Sequence, residues 1–261
     1  MFRNKATVFG GGAVIGALGG LIGLGGAEFR LPLLIGLFRF NPLEAVILNK
    51  AMSLIVVLSA IVFRAKSVPV DAVAGYWPVA LNLLAGSLVG AWMGAGWALR
   101  LRSERLSQVI AVLLLLIALA LLFGHEMTAF GEGGLAGSTQ MVVGVFAGLG
   151  IGVVAALLGV AGGELLIPTL ILLFGLDVKL AGSLSLVVSL PTMVVAFARY
   201  SQDDSFRVLA RNRAFLWLMA TGSIVGTMVG GLLLGTVPQS VLLPLLAGLL
   251  VLSSIKLMRH A

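Results

Sequence analysis

The 261-residue chain has no cysteine and only two histidines, His125 and His260. Without thiols it can form neither a disulfide nor a thiolate metal site. Two histidines near segment ends are a poor basis for a histidine-ligated metal or catalytic centre. Charge is scarce too: 10% of residues are Asp, Glu, Lys or Arg, against about 25% in an ordinary soluble domain. No HExxH and no phosphate-binding P-loop occurs, and GLGGAEF at 23–29 lacks the preceding strand that a dinucleotide-binding turn requires. No nucleophile–base pair falls inside an apolar run, so the sequence favours no enzyme, no catalytic residue, no metal and no cofactor.

What fills the chain is apolar. Hydrophobic residues make up 60% of it, and runs such as VIAVLLLLIALALLF (109–123) recur along its length. That pattern predicts an all-α polytopic membrane protein. The start, MFRNKATVFGGGAVIGALGG, has the basic head and apolar run of a signal peptide. Its glycine-rich pattern returns later in the chain, however, so it reads as a membrane segment. A net charge of +7 would point to nucleic acid in a soluble protein. Here the basic residues sit at segment ends, where the positive-inside bias and anionic lipids account for them, and the expected partner is the bilayer.

One unusual stretch occurs twice. GLGGAEFRLPLLIGLF (23–38) and GVAGGELLIPTLILLF (159–174) match at Gly23/Gly159, Gly26/Gly162, Glu28/Glu164, Pro32/Pro168 and Phe38/Phe174, an offset of 136 residues. The same offset aligns Ser53 with Ser189, and GSLVGAWMG (86–94) with GSIVGTMVG (222–230). A register held this long indicates two homologous halves, 1–125 and 139–261, joined by a glycine-rich linker at 126–138. Apolar segments fall near 7–24, 28–38, 43–65, 74–99 and 105–123, then near 140–160, 164–175, 179–199, 211–235 and 239–258. The second segment of each half spans about 16 Å as a helix, too short for a core of about 30 Å. Each half is therefore expected to hold a broken or re-entrant helix pair plus three full transmembrane helices, giving 8 to 10 membrane segments in all.

The basic loops alternate between the halves. RLRSER (100–105) is strongly basic, whereas its counterpart TVPQSV (236–241) is uncharged. RYSQDDSFRVLARNR (199–213) carries four arginines, more bases than the region around Arg64 and Lys66. This predicts inverted-topology repeats in the cell (inner) membrane with both termini cytoplasmic, where Arg3, Lys5, Lys256 and Arg259 lie. Inverted repeats with interrupted helices are typical of secondary transporters, with the substrate site at the repeat interface.

The paired GLGGAEFRLP and GVAGGELLIP motifs, with GSLVGAWMG and GSIVGTMVG downstream, resemble the TauE/SafE sulfite exporter family over essentially the whole chain. The copies differ in order, Gly25-Gly26-Ala27-Glu28 against Ala161-Gly162-Gly163-Glu164. The resemblance implies movement of sulfite, sulfonates or related sulfur-containing anions, inorganic or organic.

Several residues could carry that function. A helix restarting after Gly26 or Gly162 presents free N–H groups and a positive dipole end, a ready anion site. Glu28 and Glu164 fall in those first turns, where two roles are open: capping the helix, or carrying a proton during transport. Lys50 lies about two turns inside the segment that starts at Pro42. Its counterpart is Leu186, so the symmetric scaffold does not require a cation there. Lys50 either snorkels to the interface or, with Asn49 and Ser53, binds an oxyanion. Ser183, Ser185 and Ser189 on the matching helix could offer hydroxyls, although serines in membrane helices often bond their own backbone. Arg30 is a second candidate cation, and Asn82 is polar within the fourth segment. GSLVG and GSIVG read as small-residue packing faces without chemistry. The expected function is a proton-coupled secondary transporter of small anions, with an anion channel of the same fold as the alternative.

Overall fold

Where apolar runs meet glycine-containing breaks, the chain makes helices and stops them. A computed structural model describes residues 4–22, 26–64, 73–123, 137–232 and 239–260. Most of the predicted linker (126–136), together with Gly23, Gly25 and Arg3, lies outside the described residues, as do the side chains of Lys256 and Arg259. Among the described residues there is no strand. The first half comprises α1 (Lys5–Ile22), α2 (Ala27–Gly36), α3 (Pro42–Arg64), α4 (Trp77–Arg100) and α5 (Ser103–Phe123). The second comprises α6 (Ser138–Leu158), α7 (Gly163–Phe174), α8 (Val178–Tyr200), α9 (Arg213–Leu232) and α10 (Gln239–His260), with a 3₁₀ turn and one α-helical turn between α8 and α9.

Five helices among the described residues are long and apolar enough to cross a membrane, namely α3, α4, α6, α8 and α9. The exterior agrees with that setting. Phe146, Leu232 and Leu252 are more than two-thirds exposed, and Trp92, Trp97 and Trp217 also face outward, an apolar surface that water would not tolerate. α2 has 10 residues and α7 has 12, about 15 and 18 Å of helix, so neither reaches across alone. Each starts directly after a glycine in the left-handed region, Gly26 at φ 67° and Gly162 at φ 85°. Without a Cβ, these glycines let the chain turn sharply between one helix and the next.

Helices pack through the small-residue faces. A Cβ on Gly86, Gly90 or Gly94 of α4 would overlap the backbone of Val145, Leu149 or Val153 on α6. A Cβ on Gly222, Gly226 or Gly230 of α9 would overlap the backbone of Phe9, Ala13 or Ala17 on α1. Every one of these six contacts recurs at the 136-residue offset. In lipid, where burying apolar surface gains little, such close backbone approach supplies the attraction between helices.

The basic stretches share one end of the molecule. Asn41, just before α3, bonds Ser103 at the start of α5 at 3.1 Å. Glu44 pairs with Arg211 at 2.7 Å. Arg199, near the end of α8, sits 5.0 Å over the Trp92 ring of α4. The residues around 100–105 and those at 199–213 are thus gathered on one face, beside the start of α3 and the end of α8.

Candidate functional site

α6 cannot continue past Leu158, because Gly159 turns left-handed at φ 66°. Val160 N–H returns to the Ala155 carbonyl at 3.1 Å and Gly159 N–H to that of Ala156 at 3.0 Å, the closing pattern of a glycine-terminated helix. Even so, the last carbonyls retain lone pairs buried far from water. Side chains from other helices satisfy them. Lys50 Nζ donates to Ala155 O at 2.8 Å and Val160 O at 2.7 Å. Asn49 Nδ2 donates to Leu158 O at 3.0 Å and, on its other side, to Ala27 O of α2 at 3.0 Å. Ser53 Oγ donates to Gly159 O at 3.4 Å, and Tyr200 Oη of α8 donates to Ala156 O at 3.0 Å.

Lys50 is therefore fully buried (0% exposed) and does not reach the interface. Its ammonium lies at the negative end of the α6 dipole, where a cation is favoured. Asn49, Lys50 and Ser53 bind one broken helix of the second half to α3 of the first.

The glutamates come together. Glu28 in the first turn of α2 and Glu164 in the first turn of α7 lie near enough for their carboxyl groups to interact. The buried Oε2 of Glu28 and Oε1 of Glu164 have no hydrogen-bond partner. Lys50 exerts a Coulombic pull on Glu164, and Arg30 on Glu28. No ion pair within 4 Å joins these four groups; the salt bridges among the described residues lie elsewhere.

Arg30 carries more weight in the structure than in the sequence. It too is 0% exposed. Nη2 donates to Ser53 Oγ at 3.4 Å, while Nε and Nη1 are buried without a partner. Its position at the 136-residue offset is Leu166, which is buried. The comparison that singled out Lys50 against Leu186 would have singled out Arg30 as well. Tyr200 gives no such sign in the sequence, because a lone tyrosine at a segment end carries no signal of a bond to a helix terminus.

Ser185, Ser189 and Asn82 make no hydrogen bond to this cluster. Ser185 is buried on α8 and donates to Gly182 O of its own helix at 2.9 Å. Ser189 is buried on the same helix with its Oγ unpartnered. Asn82 donates to Met141 O at 2.8 Å and so links α4 to α6. Gly26 and Gly162 stand at the α2 and α7 N-termini, neither of which has a side-chain cap. Among the described residues no cluster of His, Cys, Asp or Glu suits a metal.

A family model described as sulfite exporter TauE/SafE matches residues 8–257. No curated protein and no solved structure matches the chain.

Proposed function

The chain belongs to the sulfite exporter TauE/SafE family, and from that premise we propose that it is a proton-coupled secondary transporter of small sulfur-containing anions whose site lies between two inverted halves. The observation that carries this reading is the meeting of Glu28 with Glu164 beside two buried cations. Two facing carboxyl oxygens form a hydrogen bond only when one of them holds a proton. With one proton shared, the four groups Glu28, Glu164, Arg30 and Lys50 sum to one positive charge, which suits an anion. With none they sum to zero, and an anion has little to hold it. Proton loss and anion release are then one event.

The inverted arrangement is supported by the basic stretches on one face. We take that face, with the start of α3 and the end of its counterpart α8, as cytoplasmic in the cell (inner) membrane, and assign both termini to the same side from their basic residues. The recurring glycine contacts support two halves of common origin. The broken helices meeting near the interior follow the plan of transporters with midplane sites. The site we propose comprises Asn49, Lys50 and Ser53, the helix ends at Gly26 and Gly162, and the α8 hydroxyls Ser185 and Ser189.

The test is a proteoliposome panel of sulfite, sulfate, thiosulfate and small sulfonates, each with and without a proton gradient. Saturable uptake, counterflow and acceleration by the gradient are expected for at least one sulfur anion. Flux that follows membrane voltage without saturation or exchange would mean a channel.

A further inference from the structure

We propose that Arg30, through its unpartnered Nε and Nη1, is the group that contacts the transported anion, and that Lys50 is a positioning residue that holds the broken helix α6. The assignment rests on the transport reading above.

The two buried cations differ in what their donors do. The Lys50 ammonium has three N–H bonds, and two of them end on carbonyls at 2.7 and 2.8 Å. Its charge faces a helix C-terminus, which offsets much of it. The Arg30 guanidinium has five N–H bonds and one long contact, to Ser53 at 3.4 Å. Nε and Nη1 between them carry three N–H bonds, buried and unspent. Leaving a charged donor buried and unpaired is costly. The fold does not require it, since Leu166 fills the equivalent place in α7. Glu28 forms no ion pair with Arg30 within 4 Å, and its carboxyl lies near that of Glu164 instead. What remains is a fixed cation with donors on more than one edge, two residues along α2 from Glu28.

That donor set selects a chemical class. A spherical halide offers one centre. An –SO₃ group offers several oxygens, and the flat guanidinium fork matches oxyanions better than a point charge does. Ser53, already bonded to Arg30, places a hydroxyl beside the same group. Sulfite and alkanesulfonates should therefore bind in preference to chloride.

The experiment titrates sodium sulfite, methanesulfonate and chloride against the full-length purified protein, reading ligand-induced thermal stabilisation, with sulfite exchange in proteoliposomes alongside. Arg30→Leu, which copies Leu166, should melt at or above the wild-type temperature because it relieves an unpaired buried charge. It should weaken sulfite binding at least tenfold, about 1.4 kcal/mol. Arg30→Lys should retain part of the affinity, and Arg30→Met should behave as Arg30→Leu. Lys50→Leu should melt lower, because the Val160 carbonyl loses its donor, and should weaken sulfite binding less than Arg30→Leu does, because it removes a charge but no contact to the anion. Wild-type affinity in Arg30→Leu would overturn the assignment, as would a failure of both Arg30→Leu and Arg30→Met to fold, which would make Arg30 a structural group. A wild-type protein that responds to none of the sulfur anions would instead overturn the transport reading.

Discussion

Glu28 and Glu164, equivalent positions in the two copies of one motif, lie near enough for their carboxyl groups to interact, Glu28 buried and Glu164 half-buried. α2 and α7 each begin after a left-handed glycine, so each carries its glutamate in the first turn. Duplication of the motif thus produces a carboxyl pair that a single copy could not.

If that pair carries the coupling proton, Glu28→Gln and Glu164→Gln should each abolish gradient-driven accumulation of sulfite while leaving sulfite exchange largely intact. An amide keeps the hydrogen bond but cannot release the proton. Normal accumulation by both variants would leave the glutamates as helix caps and nothing more.

Lys50→Leu should destabilise the protein by roughly 1–3 kcal/mol, the usual effect of leaving a buried acceptor unpaired. The Ala155 carbonyl keeps a backbone donor in Val160 N–H, whereas the Val160 carbonyl loses the Lys50 ammonium. Tyr200→Phe should show a smaller loss, about 0.5–1.5 kcal/mol, for its one bond to Ala156. Thermal unfolding in detergent measures both. An unchanged melting temperature for Lys50→Leu would mean that α6 ends there without help.

Two glycines two positions apart on α6 should respond oppositely to the same change. A Cβ at Gly152 would lie 2.9 Å from Ala91 N and overlap the Ser87 backbone, whereas nothing lies within 4 Å of one at Gly150. Gly152→Ala should therefore lower the yield of folded protein sharply, and Gly150→Ala should be tolerated. Size-exclusion profiles after membrane extraction would show the contrast. Equal tolerance at both positions would mean that α4 and α6 do not approach this closely.

Orientation is open to a reporter assay. A reporter fused after residue 130 should lie outside the cell, and one fused after residue 205 inside. The second point sits among the arginines that share a face with Arg100 and Arg102. Equal sidedness at the two points would rule out the inverted arrangement.

Much of the architecture is legible in the sequence because the bilayer imposes simple rules. Apolar length marks the long helices such as α3 and α8, and a ten-residue segment after a glycine marks α2 as too short to cross. The 136-residue offset, read from letters alone, returns as physical contacts between α4 and α6 and between α1 and α9. Periodicity and repetition are local or pairwise properties, and a sequence displays them directly.

Which groups meet is a different matter. From the sequence, Lys50 is an isolated cation in an apolar segment, Arg30 a lesser candidate, and the two glutamates are separate residues far apart in the chain. Folding brings the end of α6 against α3, so the Lys50 ammonium finds carbonyls from residues more than a hundred positions away. It also sets Glu28 against Glu164 and leaves Arg30 with donors to spare. Hydrogen bonds depend on a few ångströms between groups whose separation in sequence is unrelated to their separation in space. The sequence alone therefore determined the apolar helices, the motif that recurs at the 136-residue offset and the short helices that follow its glycines. Tertiary structure decided that the donors of Lys50 end on carbonyls while Nε and Nη1 of Arg30 are left unpartnered.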